Sequence, residues 1–206
     1  MASAIIHLAV AKTLEQYLNI NNKRDYYLGT IAPDIAKLLG DNKRRSHFLI
    51  NSRDDIPNIE LFKEKYPKFK DNSFDLGYFI HLYTDKIWFS RFLPKIIAGN
   101  SIKLLDGTIL HTTPEEMQNL MYQDYTNLNI KLLDEYNMDL SLFYEDFIIP
   151  TTSIDEIPID KLNILIDKMG LIIENSKEEK PYSFDTYLIL EFIDNACQEI
   201  LEALTK

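Results

Sequence analysis

Residues 73–97 read SFDLGYFIHLYTDKIWFSRFLPKII, and the spacing of their apolar side chains predicts a long helix that begins at Ser73. Eight positions share one face of that helix: Phe74, Gly77, Tyr78, His81, Asp85, Trp88, Phe89 and Phe92. The face is apolar except at His81 and Asp85. A carboxylate buried there without a partner would be costly or would take up a proton. Because side chains at i and i+4 lie about 5–6 Å apart at Cβ, the two residues either bind one cation or form a buried hydrogen-bonded pair.

The rest of the chain also has mainly helical periodicity. A first helix is expected over residues 4–19, with Ser3 as its N-cap. Further helices are expected at 25–39 (two pieces broken at Pro33), 58–66, 114–137, 139–149, 158–175 and 183–205. Residues 40–57 read as a polar loop, and 99–114 as a loop or a small hairpin. With only 6 Gly and 8 Pro in 206 residues, we predict one all-α domain over residues 1–206.

Composition restricts the partners. The net charge of −10 disfavours binding of a nucleic-acid polymer, which depends on Lys and Arg. A small phosphoester remains compatible, because a metal ion can supply positive charge locally. The single cysteine, Cys197, excludes an internal disulfide and favours a cytoplasmic location. The first ten residues lack the basic region of a signal peptide, and no apolar run of 18 residues exists, so membrane insertion is not expected.

Three further residues with metal-binding side chains lie among apolar neighbours. His7 shares a face of the first helix with Val10 and Leu14, and His47 lies where a polar loop turns apolar. Asp34 follows Ala-Pro in a similarly apolar stretch. Each has an ordinary explanation, a hydrogen-bonded core histidine or, for Asp34, the N-cap of a short helix. Those explanations do not account for the coincidence of three inward histidines, out of four in the chain, with two inward aspartates.

A mixed His/Asp set suits zinc, iron or manganese, and no thiolate is available for a softer metal. Such a set, with an open coordination position, activates water and polarises an ester or phosphoryl oxygen. Asp124 interrupts an apolar stripe of the 114–137 helix, and is either a ligand or an acceptor that orients a ligand imidazole. His111 has no inward pattern and is expected to be exposed.

Four short motifs occur in a telling order: HLAVAK (7–12), APD (32–34), SHF (46–48) and HLYTD (81–85). In that order they resemble the motifs of the zinc-dependent phospholipase C family, whose wider superfamily includes the S1/P1 nucleases. The resemblance covers roughly residues 3–130. It implies an all-α bundle with metal ions held between the helices.

The resemblance also implies a ligand set. In that family, one metal is bound by residues that match Asp34, His47, His81 and Asp85. The residue matching Asp85 bridges to a second metal, which also binds the match of His7. Secreted members have two more histidines and a glutamate downstream, whereas only His111 follows Asp85 here. We therefore expect one or two divalent ions, with zinc favoured over iron or manganese, and with Asp124 replacing part of the missing set.

The predicted function is that of a metal-dependent phosphoesterase. Water activated by the metal would attack a phosphomonoester or phosphodiester, with Asp34 or Asp85 acting as the base. Lys43, Arg44 and Arg45 either hold a substrate phosphate or form a solvated charge run. Phospholipid is a less suitable substrate than a soluble phosphoester, because an acidic surface is not drawn to anionic lipid.

Two alternatives belong to other classes. An HD-type phosphohydrolase acting on nucleotides is also all-α and also uses His and Asp ligands, but none of the four histidines here is followed by aspartate. A non-catalytic helical module would use the metal to hold its helices together. That module predicts a closed coordination sphere, whereas an enzyme needs an open or water-filled position. The sequence sets neither the substrate nor the oligomeric state.

Overall fold

Helices form most of the chain, which confirms the predicted helical class. The computed structural model describes residues 2–51, 56–144, 147–177 and 179–205. Its α-helices are α1 (Ala4–Glu15), α2 (Lys23–Ile31), α3 (Ile35–Leu38), α4 (Ile59–Lys65), α5 (Ser73–Ile87), α6 (Pro114–Glu135), α7 (Leu162–Glu174) and α8 (Thr186–Thr205). Single 3-10 turns lie at Ala32–Asp34, Phe69–Asp71, Leu93–Lys95, Ser141–Phe143 and Ile159–Lys161. No helix in these described ranges is long and apolar enough to cross a membrane.

The prediction of a loop or a small hairpin at 99–114 is confirmed, since this segment forms a hairpin within a small antiparallel sheet. Strands β1 (Ile97–Ala98), β2 (Ser101–Lys103) and β3 (Ile109–His111) pair in chain order. Residue Ile102 of β2 lies opposite Ile97 on one side and Leu110 on the other. The sheet is a short excursion between α5 and α6, and the helices carry the core.

The helix starts follow from capping residues in the sequence. The Ser3 hydroxyl accepts a hydrogen bond from the Ile6 amide at 3.3 Å, as expected for α1. The side chain of Asn72 caps α5, which begins at Ser73 as predicted. The Thr113 side chain and Glu116 form a capping box at the start of α6, next to Pro114.

The prediction of one helix over 73–97 was wrong at its C-terminal end. Regular α-helix stops at Ile87, the backbone widens into a π-helical turn at Trp88–Phe92, and a 3-10 turn follows. Pro94 supplies the cause, because it has no amide hydrogen and its ring clashes with the preceding helical turn. The predicted helix at 139–149 is reduced to one 3-10 turn. Residues 145–146 of that stretch and 52–55 of the predicted loop lie outside the described residues.

Helix α5 lies at the centre and packs against α1, α2, α4 and α8. The crossing of α2 and α5 is especially close. A Cβ atom added at Gly77 would lie 2.1 Å from the Tyr26 carbonyl oxygen, and one at Gly29 would lie 2.1 Å from the Phe74 carbonyl oxygen. Since no side chain tolerates that approach to backbone, the crossing requires glycine on both helices. Its consequence for function is that Thr30, next to Gly29, comes within reach of α5.

We expect Gly77→Ala to destabilise the fold by about 3 kcal/mol or more, because the added methyl meets backbone that cannot move aside. Gly170→Ala in α7 is the matched control. There the methyl meets only the Tyr144 hydroxyl, at 2.9 Å, at the end of an exposed side chain. Helix propensity alone favours that change by up to about 1 kcal/mol. Urea unfolding followed by circular dichroism measures both, and equal stability of the two variants would contradict the close crossing.

Candidate metal centre

Five of the six predicted ligands come together in one cluster. They are His7 from α1, Asp34 from the 3-10 turn before α3, His47 from the turn at 43–47, and His81 and Asp85 from α5. The three histidines and Asp85 are at most 2% exposed, and the Asp34 side chain is 15% exposed. Four separate segments therefore place a polar side chain at the same point of an otherwise apolar core.

His81 is oriented by α2. Its Nδ1 atom lies 2.8 Å from the Thr30 carbonyl oxygen, across the close helix crossing. Because a carbonyl can only accept, we assign the ring proton to Nδ1, which leaves a lone pair on Nε2. That Nε2 atom lies 3.2 Å from Nε2 of His47. The hydrogen bond to backbone is the arrangement that typically fixes the tautomer of a metal-binding histidine.

His47 is presented by a short helical turn. Its amide donates to the Lys43 carbonyl oxygen at 2.8 Å, and the turn stops at Phe48, whose φ of 54° lies in the left-handed region. Such a φ is unfavourable for a bulky residue, so packing must hold it. The Phe48 ring packs edge-on against Phe62 with 5.2 Å between centroids. On the other side, Nδ1 of His47 lies 2.9 Å from the Ser46 hydroxyl.

Asp85 faces two sides of the cluster with its two oxygens. Oδ2 lies 3.6 Å from Nε2 of His47 and 3.8 Å from Nε2 of His81. Oδ1 lies 3.4 Å from Nε2 of His7 and accepts a hydrogen bond from the Ala2 amide at 3.0 Å. The carboxylate thus touches all three imidazoles, as a residue shared between two ligand groups would.

Asp34 is not a helix cap. It occupies the position before α3, but its side chain makes no capping hydrogen bond, which removes the ordinary explanation for it. Oδ1 instead lies 3.6 Å from Nε2 of His47. Asp34 is also the one member of the cluster that lines an open cleft.

Several polar atoms of the cluster lack a hydrogen-bond partner among the described residues: Asp34 Oδ1, Asp85 Oδ2 and both ring nitrogens of His7. Two other buried aspartates provide the contrast. Asp75 accepts from the hydroxyls of Thr152 and Ser153, and Asp124 accepts from backbone amides. Buried polar groups are nearly always satisfied, so the unsatisfied atoms mark a place where a cation fits.

Asp124 was predicted either as a ligand or as an acceptor that orients a ligand imidazole, and its contacts support neither role. Its Oδ1 accepts from the Tyr182 amide at 2.7 Å, and its Oδ2 accepts from the Ser183 amide at 2.8 Å and from the Ser183 hydroxyl. These bonds use the carboxylate to anchor the segment before α8 to α6. The inward direction inferred from periodicity was right, but the side chain meets donors there and not the cluster.

The electrostatics favour the protonation states that metal ligands need. Burial, with His7 nearby, lowers the pKa of His81 to about 3, so its imidazole is neutral at pH 7. Burial raises the pKa of Asp34, but the contact with His47 and with the other neighbouring imidazoles outweighs it and holds the pKa at about 2. The contact with His7 likewise outweighs burial and keeps the pKa of Asp85 well below its usual value. Neutral imidazoles and ionised carboxylates are the forms that coordinate a metal.

The spacing of these atoms fits a metal ion. Two groups, His7–Asp34–His81 and His47–His81–Asp85, each offer ligand atoms within 4.8 Å of one another. Ligand atoms about 2.0–2.2 Å from a tetrahedral zinc ion stand about 3.3–3.6 Å apart. The pairs around His47 Nε2, at 3.2 and 3.6 Å, lie close to that range. The residues present therefore fit one divalent ion, with Asp85 placed to share a second.

A cleft of about 550 Å³ leads to Asp34. Residues that the sequence argument did not single out line it, notably Lys37 of α3, Tyr122 and Tyr125 of α6, and Lys168 of α7. Of these residues, only Lys37 could have been placed near Asp34 from the sequence, because it lies three residues further on and so on the same side of a helical turn. The other three come from the C-terminal half, and their position is set by tertiary packing.

The run Lys43, Arg44 and Arg45 does not act as one unit. Lys43 lines the cleft with Asp34, whereas Arg44 and Arg45 line a separate groove together with Glu156. A guanidinium nitrogen of Arg45 lies 3.9 Å from the Asp155 carboxylate. Of the two interpretations of this run, phosphate binding or a solvated charge run, the positions of Arg44 and Arg45 favour the second. The prediction that His111 is exposed is confirmed.

Comparison of the chain with protein-family models, with curated proteins and with solved structures finds no match. The resemblance to the phospholipase C family therefore rests on the order of the four motifs. The structure adds that the motif residues meet in space, which a chance succession of short motifs would not require.

We expect His81→Ala and Asp85→Ala each to lose most of the bound transition metal, because both remove atoms from the centre of the cluster. His111→Ala removes an exposed imidazole on β3 and is expected to keep the metal. Elemental analysis of the untagged proteins, after incubation with zinc, manganese or iron, measures the content. Equal metal content in the three variants would contradict the assignment of the metal site to this cluster.

In the metal-free protein, acid should reduce stability through His81. The unfolded chain takes up this proton near the usual pKa of 6.5, whereas the folded chain does so only near 3. Between these values the unfolded state binds more protons, so the free energy of unfolding falls as the pH falls, by about 1.4 kcal/mol per pH unit. Asp34 adds a loss of the same sign between its usual pKa of 3.8 and about 2.

The measurement is urea unfolding at pH 7 and pH 5 in the presence of a chelator. His81→Gln should flatten the pH dependence, because the group that titrates differently in the two states has been removed. His111→Gln, which removes a histidine from the exposed strand β3, should leave it as in the parent chain. A slope that persists in His81→Gln would show that another group carries it.

Proposed function

We propose that this chain is a metal-dependent hydrolase of a small phosphomonoester or phosphodiester, on a helical bundle of the phospholipase C and P1 nuclease type. One observation carries the proposal. Asp34 belongs both to the buried His/Asp cluster and to the lining of the cleft, so an ion held by the cluster is reachable by a small molecule. Zinc suits the ligand set best, with iron or manganese as alternatives.

The residues divide into those that hold the ion and those that face the substrate. His47, His81 and Asp85, together with Asp34, hold one ion, and His7 with the Oδ1 side of Asp85 offers a second position. A divalent cation held there supplies Lewis-acid chemistry, since it polarises a phosphoryl oxygen and activates water. Thr30 and Ser46 keep the imidazoles in place through hydrogen bonds to their Nδ1 atoms.

Of the two carboxylates first considered as the base, the geometry favours Asp34. Asp85 is fully buried and its Oδ1 accepts from the Ala2 amide, so it suits the role of a ligand and not that of the base. Asp34 faces the cleft and can accept a hydrogen bond from the attacking water, then its proton as the bond from the water oxygen to phosphorus forms. The ester P–O bond breaks in the same displacement, and the departing oxygen takes a proton from solvent. With a pKa of about 2 it is a weak base, so its main contribution is to orient that water.

One observation favours a second candidate, a helical module in which the metal has only a structural role. Four of the five cluster residues are at most 2% exposed, and they come from α1, the 43–47 turn and α5. An ion at their centre would hold these segments together, as structural zinc does in small domains. Both candidates require the metal, and they differ in what they require of Asp34.

We expect Asp34→Asn to lower hydrolysis of p-nitrophenyl phosphate or bis(p-nitrophenyl) phosphate by about 100-fold or more, because a neutral amide is a weaker acceptor for orienting the attacking water and cannot take its proton. Metal content should fall far less than in His81→Ala, since the other ligands and the shape of the side chain remain. Asp160→Asn, the same change at an exposed aspartate, should have full activity.

Two results would contradict the enzyme. Metal-loaded parent chain that hydrolyses neither compound would favour the structural module. Equal activity of Asp34→Asn and Asp160→Asn, with metal bound in both, would remove Asp34 from the chemistry and leave the activity without its proposed site.

A further inference from the structure

The residues that line the cleft have a net positive charge, whereas the whole chain has a net negative charge. The whole chain has 22 Lys and Arg against 32 Asp and Glu. Among the described residues that line the cleft there is one carboxylate, Asp34, and there are three lysines, Lys37, Lys43 and Lys168. Because Asp34 also belongs to the metal cluster, the rest of the cleft wall carries only positive charge.

Among the described residues, none of the three lysines forms an ion pair. The described ion pairs of lysine lie elsewhere, at Lys12, Lys23, Lys63 and Lys65. None of the cleft lysines pairs with a described carboxylate. Ammonium groups that line one concave, partly apolar space without carboxylate partners among the described residues repel one another, so an anion bound there would be stabilised.

Two of the lysines lie on the same segments as ligands of the metal cluster. Lys37 lies one helical turn from Asp34, donates to the Tyr122 hydroxyl, and places its ammonium 5.0 Å from the centre of the Tyr122 ring. Lys43 lies at the start of the turn that carries His47, whose amide bonds to the Lys43 carbonyl oxygen at 2.8 Å. The cationic groups are therefore built on the same short segments as the ligands.

The cleft has room for more than the group that reacts. Its volume of about 550 Å³ lies within the range of about 300–1,000 Å³ typical of small-molecule sites. Leu165, Met169 and Ile172 of α7 form an apolar wall beside Lys168. The wall can contact the organic part of a substrate while the lysines contact charge beyond the scissile phosphate.

We propose that Lys37, Lys43 and Lys168 form an anion subsite separate from the metal cluster, so that the substrate is a small molecule with a second anionic group, a phosphate or carboxylate, besides the phosphoester that is cleaved. The inference rests on the proposed phosphoesterase activity where it calls the bound molecule a substrate. Binding of an anion by the three lysines can be measured without that activity. A singly charged phosphodiester leaves these lysines without a partner and is the poorer ligand.

Binding of inorganic pyrophosphate and of inorganic phosphate to the full chain tests the subsite without hydrolysis of an ester. Calorimetric titration of the purified protein should give tighter binding of pyrophosphate, which can reach the metal cluster and the lysines together. Lys37→Gln and Lys168→Gln should each weaken pyrophosphate binding about fivefold and phosphate binding less, as expected for the loss of one solvent-exposed charge contact.

Lys86→Gln is the matched control. Lys86 also stacks on a tyrosine, with its ammonium 4.7 Å from the centre of the Tyr83 ring, and the substitution removes the same charge outside the cleft. Its pyrophosphate affinity should stay within twofold of the parent chain. Cleft variants that bind pyrophosphate as tightly as Lys86→Gln would overturn the subsite, since the metal alone would then account for the binding.

The outcome separates the subsite from the activity. Lysine-dependent pyrophosphate binding in a protein that hydrolyses no phosphoester would support the subsite and refute the phosphoesterase. Hydrolysis that depends on His81, with pyrophosphate binding unaffected by Lys37→Gln and Lys168→Gln, would support the enzyme and refute the subsite.

Discussion

The buried carboxylate of Asp85 requires compensating positive charge or hydrogen-bond donors, and the surrounding structure is arranged around that requirement. It has no exposed surface, contacts three imidazoles, and keeps one oxygen without a hydrogen-bond donor among the described residues. Burial of an ionised group costs several kcal/mol unless opposite charge or donors compensate. The imidazole of His81, which is neutral at pH 7, offers a lone pair to the same place. Both groups become favourable together when a cation lies between them, and this is the physical argument for a metal.

The cluster depends in turn on how closely two helices approach. Gly29 and Gly77 let α2 and α5 cross with backbone almost in contact, and that crossing brings the Thr30 carbonyl to Nδ1 of His81. A larger residue at either glycine would separate the helices and release the imidazole from the bond that selects its tautomer. The packing of α2 against α5 and the geometry of the candidate metal centre therefore depend on the same contact. That contact sets both the distance between the two helices and the orientation of the His81 imidazole.

Much of this could be predicted from sequence, where the signal is local. The inward positions of His7, His81 and Asp85 follow from periodicity alone, and the capping residues fix where α1 and α5 begin. Asp34 could not be decided, since a helix cap and a ligand need the same local turn, and only the tertiary structure shows that no capping bond forms. The role of Asp124 was mispredicted because helical periodicity shows that a side chain points inward but does not show which groups it contacts there.

The donors that satisfy Asp124 lie at residues 182–184, 58 or more residues along the chain, beyond any local pattern. Distance along the chain also hid most of the cleft, whose α7 wall carries Lys168 and no recognisable motif. The early end of α5 was mispredicted for a different reason. Proline disturbs the helical turn that precedes it, and Pro94 could have been used to end the helix earlier. The apolar periodicity of residues 73–97 instead favoured one continuous helix.

The distribution of charge bears on whether the metal serves chemistry or only structure. A purely structural ion needs its ligands and nothing beyond them, and the four most buried cluster residues would suffice. It gives no reason for Asp34 to face a cleft, nor for Lys37, Lys43 and Lys168 to line that cleft without carboxylate partners in the described chain. An acidic chain repels anions at long range, so a cleft lined by three lysines is a place where binding of an anion is favoured locally. That combination, a buried set of candidate ligands with one edge open to a cationic cleft, is the one that the proposed hydrolysis of an anionic ester would use.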